Sequence, residues 1–500
     1  MANGLAESAN TTTAPYIDIH ETHTGVIVLA GDRAFKAKKP VLTDFLDFRT
    51  VELRERACRR EVELNRRLSP ESYLGVAHLT DPSGGPAEPI IVMRRYRDDD
   101  RLASIVTRNQ SGQLVQGVLD RIAGVLAHFH EQAERSQIIS AQGKLGAIDQ
   151  RWHENLVELN RYAGKPGSGL SPVSLARIQH LVAEFASGRI GLFASRVEEG
   201  CIVDGHADLL ADDIFCVDGN PAMLDCLEFD DELRYVDRID DAAFLAMDLE
   251  FLCRKDLGDY FLERYVAYSA DTAPSSLRDF YIAYRAIVRA KVDCVRVAQG
   301  KSEAKKDATR HLDVALHHLV NGAIRLALIG GSPGTGKSTL AHALAEKIGA
   351  QVISTDDVRR ELRESGVITG ESGVLNSGLY SPDNVTAVYQ ATLCRAGVLL
   401  SSGRSVILDG TWLNPQYRRD AHRLAAETHS ALVEVMCSAT ADMAADRITT
   451  RRPGNSDVTP NIAAELAVWQ DGWETADRVD TSRSLEHSVD KAHDVWRRAI

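Results

Sequence analysis

The chain has 500 residues, 44% of them hydrophobic and 26% charged, a composition typical of a globular protein with two or three domains. Its 58 basic and 71 acidic side chains leave a net charge of −13, which argues against a general nucleic-acid or anionic-membrane surface. The eight cysteines show no C-x-x-C spacing, and no apolar run approaches the roughly 20 residues of a membrane span. We therefore expect a cytoplasmic protein with free thiols and no membrane partner.

The first part of the chain is predicted to be an α+β domain over residues 16–320, preceded by a disordered tail over residues 1–15. Its apolar patterns predict strands first, then helices, then short strands again before the last helices. The predicted segments are two short strands within 24–40, a helix over 50–68, a strand over 89–96, helices to about 198, short strands and turns over 200–233, and helices from 240 to about 321.

Several polar residues in this domain follow the chain order of a kinase-like catalytic site. In such folds a strand lysine pairs with a helical acid, a catalytic-loop Asp accepts the hydroxyl proton, and a later Asp holds Mg²⁺. The corresponding stretches are R-A-F-K at 33–36, C-R-R-E at 58–61, H-A-D at 206–208 and L-D-C at 224–226. Lys38 is a rival for Lys36 because it falls on the same strand face. His206 and Asp208 would also suit a buried structural histidine and a turn carboxylate.

With these motifs, residues 20–320 resemble the aminoglycoside phosphotransferases, whose signature is H-G-D-x-x-x-x-N followed by I-D. The resemblance implies a protein-kinase-like fold with nucleotide binding by Lys36 and Glu61, proton acceptance by Asp208, and Mg²⁺ binding by Asp213 and Asp225. Ala207 replaces the glycine of the signature, so we expect an altered turn, and Asp213 replaces the metal-binding Asn. The glycine loop over the nucleotide is thin, with only Gly25 and Gly31. The domain is predicted to be either an active kinase or a degenerate one that only binds.

The second part of the chain begins with the stretch 323–340, A-I-R-L-A-L-I-G-G-S-P-G-T-G-K-S-T-L. It predicts a buried strand, a turn that fits G-x-x-x-x-G-K-[ST], and a helix from near Lys337. Such a turn holds a polyphosphate with backbone N–H groups at the positive end of a helix dipole. Lys337 would reach the β- and γ-phosphates, and the Ser338 hydroxyl would take one Mg²⁺ position. A chance glycine-rich turn is the alternative. The residues predicted to bind nucleotide are Gly331, Ser332, Pro333, Gly334, Thr335, Gly336, Lys337, Ser338 and Thr339.

Strand and helix patterns alternate through residues 321–500. The predicted strands are 324–329, 351–354, 404–409 and 431–437. This alternation predicts an α/β domain whose parallel sheet is flanked by helices and binds ligands at the C-terminal ends of its strands.

Acidic residues follow two of these strands. Asp356 and Asp357 come after the second strand, near the expected γ-phosphate, although a helix N-cap would also explain them. Asp409 ends the next strand and is predicted to hold Mg²⁺, with a turn residue as the alternative.

Three arginines lie close together on one predicted helical face, at Arg447, Arg451 and Arg452. They are predicted to close over the phosphates as a lid, with Arg447 binding nucleotide and the other two neutralising charge in the transition state. A solvated helix face is the alternative.

With these motifs, residues 323–500 resemble the P-loop small-molecule kinases, a group that includes zeta toxins, chloramphenicol phosphotransferase and polynucleotide kinase. The matching stretches are G-S-P-G-T-G-K-S-T from Gly331, S-T-D-D-V-R from Ser354, V-I-L-D from Val406, and the three arginines. The resemblance implies that Asp356 is the catalytic base. Its position agrees, because Asp356 comes first off the strand whereas Asp357 is predicted to start the next helix.

The whole chain resembles bacterial fusions of an aminoglycoside-phosphotransferase-like half with a P-loop kinase half. We therefore predict an ATP- and Mg²⁺-dependent phosphotransferase that acts on a hydroxyl of a small molecule. One alternative is a regulatory switch in which the N-terminal half senses a ligand and the P-loop half hydrolyses ATP. A polynucleotide kinase is a third possibility, disfavoured by the net charge of −13.

Overall fold

The computed structural model describes residues 16–21, 24–42, 47–80, 82–108, 112–165, 169–371, 377–450 and 473–500. The disordered tail predicted for residues 1–15 lies outside these ranges, as do the predicted lid residues Arg451 and Arg452. By its internal contacts the chain divides into two units. The first unit comprises Met1–Gly143 and Glu199–Thr272, and the second comprises Lys144–Glu198 and Ala273–Ile500.

The described residues form helices and strands throughout both units. In chain order the helices are α1 Val51–Asn65, α2 Leu102–Arg108, α3 Gly112–Gln132, α4 Gln137–Ala141, α5 Leu145–Asn160, α6 Pro172–Gly188, α7 Ile190–Glu198, α8 Asp231–Arg234, α9 Arg238–Phe251, α10 Lys255–Ser269, α11 Ser275–Ala298, α12 Ala304–Asn321, α13 Lys337–Ile348, α14 Thr355–Glu364, α15 Pro382–Ser401, α16 Pro415–Glu427, α17 Ala441–Thr449 and α18 Leu485–Arg498. The strands are β1 Ile17–Glu21, β2 Gly25–Ala30, β3 Arg33–Lys38, β4 Tyr73–Leu79, β5 Glu88–Arg94, β6 Ile202–Asp204, β7 Ile214–Val217, β8 Asn220–Met223, β9 Tyr235–Asp237, β10 Arg325–Gly330, β11 Gln351–Ser354, β12 Val406–Asp409, β13 Ala431–Ser438 and β14 Asp477–Asp480.

The first unit is built on an antiparallel sheet with the strand order β1-β2-β3-β5-β4. Helix α1 packs on this sheet, where Cys58 and Val62 meet Tyr73 and Ile91 in a buried cluster. Two further antiparallel pairs, β6 with β9 and β7 with β8, follow among the helices of the unit. This arrangement places Lys36 and Lys38 of β3 beside Glu61 of α1.

The second unit contains a parallel sheet with the strand order β11-β12-β10-β13-β14. Alternate residues of the central strand β10 enter two different cores, because both faces of the sheet are covered. Ala327 and Ile329 pack with α13 and α18, whereas Leu326 and Leu328 pack with α15 and α16. A strand buried on both faces reads as a continuous apolar run, which is how β10 was recognisable in the sequence.

The predicted α/β and α+β fold class is confirmed. The four strands predicted for the P-loop half correspond to β10–β13, while β1, β4, β9 and β14 had not been predicted. Residues 144–198 and 273–321 belong to the same unit as the P-loop sheet. Within this unit Ser276 donates a hydrogen bond to the carbonyl oxygen of Gly403, and Arg189 donates one to the carbonyl oxygen of Thr428. The domain boundary near residue 320 stays a prediction.

No helix among the described residues is both long and apolar enough to span a membrane.

Candidate functional site

The glycine-rich loop joins β10 to α13 at the C-terminal edge of the parallel sheet. Gly331, Gly334 and Gly336 all have positive φ angles, at 132°, 81° and 81°. A Cβ atom on Gly331 would lie 2.5 Å from the carbonyl oxygen of Cys437, so only glycine fits there. The loop therefore turns tightly into the N-terminus of α13, whose free N–H groups suit an anion.

Two contacts hold the loop in this shape. The Thr335 hydroxyl donates to the carbonyl oxygen of Ser332 over 2.7 Å, and the Nζ atom of Lys337 donates to the same oxygen over 3.1 Å. Ser332 and Thr335 are buried, whereas Lys337 lines the cavity beside the loop. The lysine is thus held over the loop, where a phosphate would compete for it.

Asp409 lies buried at the end of β12, opposite Ile329 of β10. Its carboxylate accepts a hydrogen bond from the Ser338 side chain, and its Oδ1 atom has no hydrogen-bond partner. Burial raises the pKa of Asp409, and the nearby Lys337 and Ser338 only partly oppose this shift. An unsatisfied buried carboxylate oxygen beside a serine hydroxyl fits a hard cation, so these residues suit the predicted Mg²⁺.

Asp356 stands two residues beyond Ser354, which pairs with Asp409 across neighbouring strands. The Ser354 hydroxyl accepts a hydrogen bond from the Asp356 N–H group and caps α14, which begins at Thr355. The expectation that Asp357 starts this helix is therefore wrong, because both carboxylates lie in its first turn. Asp356 lines the cavity and pairs with Arg359, while Asp357 pairs with Arg360 away from the lining.

These residues share one cavity of about 790 Å³, within the range of ligand pockets. We call two groups of its other lining residues, carried by different elements, its two ends. One end is lined by Arg447, Ile448, Thr481, Arg483, Leu485 and Ser488 of α17, the turn after β14, and α18. The other end lies beside α14, α15 and α16, and its lining includes Asp356, Arg359, Tyr380, Tyr389 and Tyr417.

The structure brings most of the predicted P-loop residues to this cavity. Lining residues from that prediction are Pro333, Gly334, Gly336, Lys337, Ser338, Thr339, Asp356, Asp409 and Arg447. Arg447 donates to the carbonyl oxygen of Thr481 over 2.8 Å, which holds its guanidinium beside the loop. Three further predicted residues do not line the cavity but stabilise the shape of the loop, namely Gly331, Ser332 and Thr335.

Comparison with known proteins agrees with this geometry. The AAA domain family matches residues 326–474. Over 498 residues the chain is 65% identical to uncharacterized protein Rv2004c of Mycobacterium tuberculosis H37Rv and to uncharacterized protein Mb2027c of Mycobacterium bovis, covering 100% of this chain and 99% of each relative. The chain belongs to the family of these mycobacterial proteins. The predicted P-loop domain is confirmed.

Similar solved structures each cover part of the chain. A choline/ethanolamine kinase family protein from Mesorhizobium loti is 14% identical and covers 62% of this chain and 94% of its own, with a TM-score of 0.37. A gluconokinase from Sinorhizobium meliloti is 20% identical and covers 35% of this chain and 92% of its own, with a TM-score of 0.27.

A second cluster of charged residues lies in the first unit of this family member. The Nζ atom of Lys36 on β3 is 2.8 Å from Oε1 of Glu61 on α1 and 2.6 Å from Oδ1 of Asp225. Burial alone would lower the pKa of Lys36, but Asp225 and Glu61 leave it well above its usual value. Lys38 instead joins Glu61 to Glu228. Of the two rival lysines, only Lys36 reaches the predicted metal-binding carboxylate.

The H-A-D turn keeps a tight geometry without its expected glycine. Ala207 adopts a φ of 66°, a left-handed conformation that costs a non-glycine residue about 1 kcal/mol. The N–H groups of His206 and Ala207 donate to the two oxygens of Asp241 over 2.6 and 2.8 Å, and this carboxylate also bonds His130. Asp241 therefore holds the backbone of this turn in place, and an alteration of the turn relative to the aminoglycoside phosphotransferases stays a prediction.

His206 is buried, and both of its ring nitrogens have hydrogen-bond partners. Its Nε2 atom donates to the carbonyl oxygen of Leu224 and its Nδ1 atom accepts from the N–H group of Asp208, a pairing that suits the neutral ring. Burial lowers the pKa of His206, which agrees with that state.

The carboxylates predicted to act in this unit lie near one another. Burial raises the pKa of Asp213 well above its usual value, and the charges of Asp225 and Asp208 raise it further. Lys36 instead lowers the pKa of Asp225. A cation would relieve the repulsion between these groups, so their chemistry fits Mg²⁺. Among the described residues, no group of three or more His, Cys, Asp or Glu side chains is placed to hold a metal ion.

Besides Arg447 and Asp356, which were predicted, each end of the P-loop cavity has lining residues that were not predicted from the sequence. The stretch V-D-T-S-R at 479–483 carried a signal, because an apolar residue at a strand end is followed by polar turn residues. The tyrosines at the other end carried none, since Tyr380 and Tyr417 lie on different elements that only packing brings together.

Proposed function

We propose that the protein is an ATP- and Mg²⁺-dependent phosphotransferase that acts in the cytoplasm on a hydroxyl group of a small molecule. The observation that carries the proposal is that Lys337, Ser338 and Asp409 line one cavity with a second carboxylate, Asp356. The first three suit a nucleoside triphosphate with its metal. The fourth suits proton transfer from an acceptor hydroxyl.

In this proposal the loop N–H groups and Lys337 bind the β- and γ-phosphates, and Arg447 binds the nucleotide beside them. The acceptor oxygen forms a bond to the γ-phosphorus while the bond from that phosphorus to the β,γ-bridging oxygen breaks and ADP leaves. The hydroxyl proton moves to Asp356. Ser338 and Asp409 would hold Mg²⁺, which supplies charge neutralisation when it is bound. Catalysis then rests mainly on positioning and on charge. Arg451 and Arg452 remain candidates for further charge neutralisation.

Lys337→Ala in the full-length protein tests the proposal, with Lys347→Ala as its control. Lys347 is an exposed lysine of the same helix that pairs with Asp490. We expect the first variant to lose ATP turnover by orders of magnitude, because the main charge contact to the phosphates is gone, and the second to keep it. Equal turnover in both variants would refute the proposal. ATP hydrolysis that no hydroxyl compound diverts into a phosphorylated product would instead favour the regulatory switch.

A second candidate function belongs to the first unit. The contacts of Lys36 with Glu61 and Asp225 are those that a kinase-like nucleotide site requires. We propose that this unit binds ATP through Lys36 and Glu61, with Mg²⁺ held by Asp213 and Asp225 and with Asp208 as the base if the site is active. A degenerate site that binds without transfer has the same contacts.

A further inference from the structure

The two ends of the P-loop cavity differ in chemistry. We define the acceptor end by Asp356, Arg359, Tyr380, Tyr389 and Tyr417, which line it on the side of α14, α15 and α16. It contains the carboxylate suited to accept a proton, so under the proposed function the phosphate acceptor must bind there. The acceptor end is therefore where the substrate class is decided.

Tyrosine rings form one wall of the acceptor end. Tyr389 and Tyr417 stack with their ring centroids 4.1 Å apart and their planes 8° from parallel. Their hydroxyls already have partners, at 3.1 Å from Thr411 Oγ1 and 3.1 Å from Thr386 Oγ1 respectively. Burial also raises the pKa of Tyr389, so its hydroxyl stays neutral. Because Tyr389 is only 4% exposed whereas Tyr417 is half-buried, the pair offers the cavity mainly the ring of Tyr417.

The acceptor end has little net charge. Among its described lining residues Arg359 is the one cation, and its Nη1 atom donates to Oδ1 of Asp356 over 2.5 Å. The guanidinium carbon of Arg359 also lies 4.6 Å from the ring centroid of Tyr380, in a cation–π contact. The Arg359 Nε atom is buried and has no hydrogen-bond partner. A guanidinium carries five N–H donors and Asp356 accepts from one of them, so Arg359 can also donate to a polar atom of the acceptor.

We propose that the acceptor is an uncharged ring compound with several hydroxyl groups, of the class of sugars and cyclitols. Such a ring has an apolar face of C–H groups that packs on the electron-rich faces of aromatic side chains. One of its hydroxyls would meet Asp356, and a second oxygen would accept a hydrogen bond from the Arg359 guanidinium. Within the part of the acceptor end that the structure describes, a polyanionic acceptor would meet no cation besides Arg359. This inference rests on the proposed function.

The test uses the full-length protein with ATP, Mg²⁺ and a panel of acceptors. The ring compounds are glucose, N-acetylglucosamine and myo-inositol, and the comparison compounds are open-chain sorbitol and an oligonucleotide with a 5′-hydroxyl. We expect phosphate transfer to at least one ring compound and not to the comparison compounds. Tyr417→Leu should raise the KM for that ring compound about tenfold and the KM for ATP far less, because it removes the aromatic face.

Two matched variants separate ring packing from folding. Tyr417→Phe keeps the ring and loses only the bond to Thr386, so it should keep the acceptor KM within about threefold of the unmodified protein. Tyr162→Leu replaces a half-buried tyrosine of the second unit that does not line the cavity, and it should change neither KM.

The outcomes distinguish this inference from the proposed function. Transfer only to sorbitol or to the oligonucleotide, transfer to none of the ring compounds, or an unchanged acceptor KM in Tyr417→Leu would overturn the acceptor class. Turnover that still depends on Lys337 would leave the proposed function standing in each case. Turnover independent of Lys337 would remove both.

Discussion

Arg359 donates a hydrogen bond to the carboxylate of Asp356 one helical turn earlier, over 2.5 Å from Nη1 to Oδ1. The pair lies at the N-terminus of α14, whose dipole favours a negative charge in its first turn. The arginine thus holds the carboxylate in one orientation at the cavity wall. Asp357 is the next residue along, yet its partner Arg360 lies outside the cavity lining. Two adjacent carboxylates therefore have different surroundings.

The first prediction separates these two carboxylates. Asp356→Asn keeps the shape of the side chain and removes the proton acceptor, so phosphate transfer should fall roughly 10²-fold or more while ATP affinity changes little. Asp357→Asn removes one half-exposed ion pair, which contributes at most about 1 kcal/mol to stability. Transfer rates and ATP affinities of both variants provide the measurement. If Asp356→Asn kept normal phosphate transfer and Asp357→Asn lost it, Asp357 rather than Asp356 would be the proton acceptor.

The second prediction concerns Asp409→Asn. The variant should lower Mg²⁺-dependent turnover roughly 10²-fold, because an amide is a poorer ligand for the cation than a carboxylate. It should also raise the free energy of unfolding of the second unit at neutral pH. Burial raises the pKa of Asp409 in the folded protein, so its ionisation lowers stability as the pH rises from the ordinary aspartate pKa through the folded value.

Chemical denaturation at pH 7, with Asp490→Asn as the control, checks this effect. Asp490 is an exposed carboxylate paired with Lys347, and its loss should change stability little. A less stable Asp409→Asn protein would contradict the prediction.

The third prediction tests nucleotide binding by the first unit. In full-length protein carrying Lys337→Ala, titration with ATP and Mg²⁺ should reveal a remaining site. Adding Lys36→Ala should weaken that binding tenfold or more, because its charge contact to the phosphates is lost. Lys38→Ala should weaken it less, since Lys38 pairs with Glu228 rather than with Asp225. Lys39→Ala, whose partner Glu21 is exposed, is the control. No remaining binding at millimolar ATP would refute the second candidate function.

The fourth prediction concerns Asp241, which is fully buried and holds the H-A-D turn. Asp241→Ala should destabilise the first unit by about 3 kcal/mol, because it leaves two backbone N–H groups and His130 without their partner. A Cβ atom on Gly205 would lie 2.5 Å from Oδ2 of Asp241, so Gly205→Ala should also destabilise the unit. Hydrogen–deuterium exchange of peptides from the first unit measures both effects. Asp259→Asn, an exposed carboxylate paired with Lys255, should leave exchange unchanged.

The stabilising effect of Asp241 also depends on pH. Burial would raise the pKa of this carboxylate, but hydrogen bonds from His130 and His206 bring it below its usual value. Its contribution is therefore complete above the ordinary aspartate pKa of about 4 and is lost as the pH falls through the lower folded value. If stability of the unmodified protein and of Asp241→Ala fell in parallel on acidification, this linkage would be wrong.

Most features of the P-loop half could be predicted from the sequence. A continuous apolar run, glycines at three positions with positive φ, and a lysine at the helix start act within about 15 residues of one another, so local chemistry alone determines their structure. The same holds for Asp409, because a carboxylate that ends a buried strand must lie at the edge of the sheet.

The tertiary structure decided the rest, because the contacts involved join residues that are distant along the chain. Lys36 meets Glu61 across 25 residues and Asp225 across 189, and no local pattern distinguishes it from Lys38 on the same strand face. Asp241 keeps the left-handed turn at Ala207 from 34 residues away. The tyrosine wall depends on how α15 and α16 pack. Sequence patterns report turn chemistry and periodicity, whereas such pairings appear only after loop closure and core packing have brought the elements together.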